Sequence, residues 1–90
     1  METLAISPCH APALNNLGNI YRLKGDITKA ARYYARAARC DSAYSAAYLN
    51  LGELALSRKD TAEAVLFYEK ALSADPSDKK TRGLLDALRK

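Results

Sequence analysis

The sequence predicts an all-α fold in which antiparallel helical hairpins stack side by side, and three observations predict it. The first is an internal copy. Leu17 and Gly18 return as Leu51 and Gly52, Asp26 as Asp60, Ala30 as Ala64, Tyr34 as Tyr68, Ala37 as Ala71 and Asp41 as Asp75, all shifted by 34 positions. Ala13/Ala47 and Asn16/Asn50 bring the identities between residues 11–44 and 45–78 to nine. A fixed period of this size marks supersecondary units that bury their apolar faces on one another. The second observation is the three- and four-residue spacing of apolar positions within each copy, which puts them on one helix face. The third is turn chemistry recurring between the paired helices.

Four helices follow in order, near 11–24, 27–40, 45–58 and 61–74. Leu14, Leu17, Gly18 and Tyr21 share a face of the first, Ala30, Tyr34 and Ala37 of the second, and Ala64, Tyr68 and Ala71 of the fourth. Gly18 and Gly52 suit helices about 8–10 Å apart, where the closest backbone approach requires a small residue. Gly25 is placed to end the first helix in the left-handed conformation, and Asp26 to cap the second. Asp60 caps the fourth, with Glu63 three residues on at capping-box spacing. Lys59 stands where the first copy has Gly25. A left-handed conformation there costs about 1 kcal/mol relative to glycine, so the second hairpin carries that strain or turns differently. Ser77 to Lys90 reads as a fifth, closing helix, with Leu84, Leu85 and Leu88 as its apolar stripe; Gly83 within it implies close approach to the preceding helix.

The residues of the two copies resemble the tetratricopeptide repeat, W-x-x-L-G-x-x-Y, then A-x-x-x-F, then P, over 34 residues. The first copy matches through Leu14, Leu17, Gly18, Tyr21, Ala30, Tyr34 and Ala37, the second through Tyr48, Leu51, Gly52, Ala64, Tyr68, Ala71 and Pro76. Leu14 and Tyr48 replace the Trp, Ala55 the Tyr seen as Tyr21, and Ser42 the closing Pro. The resemblance implies a short right-handed solenoid of about five helices. One domain is expected over residues 11–90, comprising repeats 11–44 and 45–78 and a capping helix at 77–90, with residues 1–10 a tail or strap.

Composition bounds the function classes. Ninety residues make one domain, and two repeats fall below the three or so that usually stabilise an array. Support from a larger parent chain or from a second copy is therefore expected, and an uncovered N-terminal face invites dimerisation. No stretch approaches the roughly 18 apolar residues of a membrane span, and Met1 to Cys9 lacks the features of a signal peptide. A cytoplasmic location is expected, or that of the parent if the chain is an excised domain. Cys9 and Cys40 are too few for a disulfide framework. The first hairpin brings them near each other, as free thiols in a reducing compartment or as a pair, and with His10 they fall one short of a structural zinc site's four ligands. No metal or cofactor is expected. One histidine, no glycine-rich phosphate loop and no nucleophile set beside an oriented base argue against an enzyme.

Two surfaces are candidates for binding. The resemblance implies a concave groove lined by the first helix of each repeat. Here that groove presents Asn15, Asn19 and Arg22, then Leu49, Asn50, Glu53 and Leu56, then Lys80. Amides suit an extended peptide because each both donates and accepts. Asn19, Asn50 and Lys80 also fall at the spacing of three members of the carboxylate clamp by which some repeat domains grip chaperone tails. Asn15 and Leu84 replace two of that clamp's cations, which weakens charge-assisted binding. The second surface is basic: Lys29, Arg32, Arg36 and Arg39 recur at helical spacing, with Tyr33 among them. Residues 1–44 hold six basic and three acidic residues, against eight and seven in 45–90. Such a stripe suits nucleic acid, anionic lipid or an acidic protein, and is also what a solvated convex face looks like. The sequence therefore reads as a non-catalytic module that binds a peptide or partner protein through its concave face. The alternatives are a homo-oligomerising scaffold, including a homo-dimer, and an anion binder acting through the second helix.

Overall fold

A computed structural model describes residues 9–89, in which five helices follow one another: α1 (Ala11–Leu23), α2 (Ile27–Cys40), α3 (Ser45–Ser57), α4 (Thr61–Ala74) and α5 (Lys79–Leu88). No described residue is in a strand, and the fold is an all-α helical repeat. Most of the expected tail or strap lies outside the described residues. His10, at its end, opens α1: the ring Nδ1 accepts the Ala13 N–H at 3.1 Å, and Pro12 sits in the first turn, where a missing N–H leaves no helical bond unmade.

Both hairpin turns are built alike. The Gly25 N–H donates to Arg22 O and the Asp26 N–H to Tyr21 O; the Lys59 and Asp60 N–H groups donate equivalently to Leu56 O and Ala55 O. These paired bonds satisfy carbonyls that the helix end would leave open, provided the residue between adopts a left-handed conformation. Gly25 does so at φ 86°, and Lys59 follows at φ 63°. The second hairpin thus keeps the first one's turn and carries its strain. Asp26 and Asp60 then cap α2 and α4, accepting from the Lys29 and Glu63 N–H groups at 3.1 Å each. The capping box is only half formed. The Asp60 N–H is already spent on Ala55 O, and the Glu63 carboxylate pairs with Arg58 at 2.8 Å.

Within each hairpin a tyrosine fills the space a glycine leaves. A Cβ on Gly18 would meet the Tyr34 ring at 2.5 Å, and one on Gly52 the Tyr68 ring at 2.7 Å. Both rings are fully buried. Ala30, Ala37, Ala64 and Ala71, also buried, flank them and let the helix axes approach. One core cluster joins α1, α2 and α3 through Leu14, Tyr34, Ala47, Leu51 and Leu54; a second joins α3, α4 and α5 through Ala55, Tyr68 and Leu85. α3 belongs to both.

α5 closes the array but not with the three leucines expected. Leu85 is buried and Leu88 half-buried, while Leu84 is exposed. Adjacent helical residues point roughly 100° apart, so a helix lying on one neighbour cannot bury both Leu84 and Leu85. Thr81, one turn before Leu85, fills the remaining space at 1% exposure. Its hydroxyl and N–H both donate to the capping Asp78, at 2.6 and 3.2 Å. These bonds, the hydroxyl's first, hold the Asp78 carboxyl below its ordinary value. Gly83 departs from expectation too. Nothing lies within 4 Å of a Cβ built there, so no close approach accounts for it. Arg89 ties the end of α5 to Glu69 of α4.

Candidate functional site

The side formed by α1, α3 and α5 carries the residues expected to bind, and the structure pairs several of them with one another. Asn15 is 6% exposed, and its Oδ1 accepts from Asn50 Nδ2 at 2.9 Å, joining α1 to α3. Two turns along α1 and one along α3, Arg22 Nη1 meets Glu53 Oε1 at 2.9 Å across the same pair of helices. Asn19 Oδ1 accepts the hydroxyl of Tyr34. Leu49 and Leu56 are half-buried against the second core cluster, and Lys80 is exposed on α5.

Hydrogen-bond direction fixes what these amides still offer. The Tyr34 hydroxyl is held above its ordinary value chiefly by burial, with Arg22 lowering it and Glu53 raising it. It therefore remains a protonated donor, Asn19 must present its oxygen inward, and its Nδ2 is left as a donor. In the same way Asn50 spends one N–H on Asn15 and keeps its oxygen. Among the described residues neither the Asn19 nitrogen nor the Asn50 oxygen has a partner. The ridge thus presents a donor, an acceptor and a half-exposed ion pair between apolar flanks. Asn15, being buried, serves as a positioning group. Removing the Asn50 amide would strand a buried oxygen, so this side chain supports the fold as well as the surface.

The basic residues of α2 do not form one uniform patch. Tyr21 and Tyr33 stack with centroids 5.4 Å apart and planes 1° from parallel. Lys29 Nζ stands 5.3 Å and Lys24 Nζ 5.9 Å from the Tyr21 centroid, and Arg36 Cζ 5.5 Å from that of Tyr33. Arg39 instead lines a groove between the repeats, with Ala35, Ala38, Ser42, Tyr48, Leu51, Phe67 and Lys70, while Arg32 is exposed. Sequence reading missed Lys24 and the pairing of Tyr21 with Tyr33. The signal was the place of Tyr21 across the hairpin from the basic helix.

Cys9 and Cys40 are neighbours across the first hairpin. Their side-chain hydrogen bond is the main cause, with burial second, that raises the Cys40 thiol. No helix among the described residues is long and apolar enough to cross a membrane.

No curated protein matches the chain. The family profile described as Tetratricopeptide repeat matches it twice, over residues 5–45 and 15–79, so that most of its length is covered. Those matches contain both hairpins, both glycine–tyrosine contacts and the ridge between them, and the chain belongs to the tetratricopeptide repeat family.

Proposed function

We propose that this chain is a non-catalytic protein-interaction module which takes an extended peptide segment of a partner along the α1–α3–α5 side. Repeats of this family generally mediate protein–protein interaction. The observation that supports this particular side is the pair of half-spent amides, Asn19 with a donor left over and Asn50 with an acceptor. A peptide backbone supplies both complements at every residue. Arg22 and Glu53, 37% and 55% exposed, are placed to choose among charged side chains, and Lys80 to favour an acidic one. Leu49 and Leu56 offer apolar contact between them.

Linear peptides selected from a displayed random library against the whole chain would test this. Their affinity should fall about tenfold, roughly 1.4 kcal/mol, on Glu53→Arg and remain within about twofold on Arg32→Glu. Glu53 is the better probe than Asn50, because its loss strands no buried group. Binding indifferent to Glu53→Arg and abolished by Arg32→Glu would move the site to the basic helix.

A further inference from the structure

The α1–α2 end of the array carries a part-exposed apolar face, distinct from the α1–α3–α5 side, and its counterpart in the second copy is covered. In the second copy Ala47, Leu51 and Leu54 are 0, 7 and 2% exposed, because α2 lies on them. Ala35 and Ala38 of α2 stand there beside Tyr48, Leu51 and Phe67. Shifted back by 34 positions, the same face is Ala13, Leu17 and Ile20, with Tyr33 at the place of Phe67 and Arg36 at that of Lys70. On that face Ala13 and Leu17 are only half-buried and Ile20 is 47% exposed. A face that packs against a helix stacked on it in one copy is left open in the other.

Charge decides what can occupy it. From residue 11 to residue 40 there are six basic side chains and one carboxylate, Asp26, which is engaged as the α2 cap. Among the described residues the ion pairs are Arg22–Glu53, Arg58–Glu63 and Arg89–Glu69. Lys24, Lys29 and Arg36, at helical spacing from Ile20 and Tyr33, have no carboxylate partner among the described residues. A second copy docked face to face would oppose like charges, which costs rather than contributes. A nucleobase would need an open ring face. Tyr21 and Tyr33 cover each other on one side, with the Lys24, Lys29 and Arg36 cations also set against the rings.

We infer that the α1–α2 end face binds an amphipathic helix of a partner protein, one with a stripe of small apolar residues to lie on Ala13, Leu17 and Ile20 and acidic residues flanking it to meet Lys24, Lys29 and Arg36. The small residues follow from the alanines that α2 offers at the equivalent junction. The acids follow from the unpaired cations.

The test is a fluorescence-anisotropy titration of the whole chain against a labelled helical peptide of about 20 residues, long enough to hold a helix, with an alanine stripe flanked by glutamates. Binding should weaken as salt rises and fall about tenfold or more on Ile20→Glu and on Lys29→Glu. It should be unaffected by Glu53→Arg, and the variants should melt like the wild type. The same peptide with lysine flanks should not bind. Equal binding of the two peptides would overturn the assignment, as would loss on Glu53→Arg in place of Ile20→Glu. So would tighter, Ile20-independent binding of a single-stranded oligonucleotide. A dimer dissociated by Ile20→Glu would make a second copy the occupant. Peptide binding seen only after removal of residues 1–8 would make the chain's own start the occupant. Either result would contradict the proposal.

Discussion

Ile20 and Leu54 hold the same place in two copies of one pattern, yet Ile20 is 47% exposed and Leu54 2%. Neither local sequence nor helix geometry separates them. What differs is the neighbour: α3 packs against α2 of the preceding hairpin as well as against its own partner α4, whereas among the described residues α1 packs chiefly against its own partner α2. In a repeat array the stability a side chain contributes is set by the interface it reaches, and the interface depends on position in the stack. The same contrast separates places where the copies serve the fold from places where the first repeat has surface to spare for a partner.

The largest effect expected from this contrast is on core truncation. Leu54→Ala should cost about 2–5 kcal/mol, as buried leucines do, whereas Ile20→Ala should cost less than about 1 kcal/mol. Urea melts of the two variants would measure it, and equal losses would break the comparison. Next come the positions where the copies should agree. Gly18→Ala and Gly52→Ala each drive a methyl into a buried tyrosine ring and should both cost about 1–3 kcal/mol. A silent substitution at either would mean that the ring has room to move.

Much of this was legible in the sequence because the period gives each residue a counterpart. The boundaries of α1 to α4, both aspartate caps and the close helix approach at Gly18 and Gly52 follow from residues that occur twice; that a tyrosine ring fills each gap does not. α5 has no second copy, and there the reading was least sharp. Periodicity marked Leu84, Leu85 and Leu88 together, but only a packed neighbour selects Leu85 over Leu84 and brings in Thr81. Gly83 was read as a contact because glycine in a helix usually has a reason, and the structure offers none. On the binding side the residue types were legible but their mutual spending was not. Nothing in spacing says that Asn50 bonds Asn15, or that Asn19 turns its oxygen to Tyr34.

Smaller effects sharpen the comparison at the turns. Lys59→Gly should stabilise by about 1 kcal/mol, by relieving a left-handed conformation that Gly25 adopts without strain. Gly83→Ala should add up to about 1 kcal/mol, since the site is open and helical. Thermal melts that leave both unchanged would remove strain from the account.

The smallest effect concerns pH. The Asp78 carboxyl is depressed in the fold, chiefly by the Thr81 hydroxyl, so its contribution is complete above its unfolded value, about 3.9, and is lost as pH falls through the folded one. The difference in Tm between wild type and Asp78→Asn should therefore shrink on acidification and stay level above about pH 5. A difference that grows in acid would contradict the cap's role.

The central claim, that the α3 face at Leu54 is covered and the equivalent α1 face at Ile20 is exposed in an otherwise repeated design, is tested most directly by native-state hydrogen exchange. Amides of Leu54 and Ala55 should exchange only through global unfolding, with the full denaturant dependence. Those of Ile20 and Tyr21 should exchange through smaller openings with weaker dependence. Equal protection and equal denaturant dependence in α1 and α3 would show that the first repeat's open face costs it nothing, and would contradict the account.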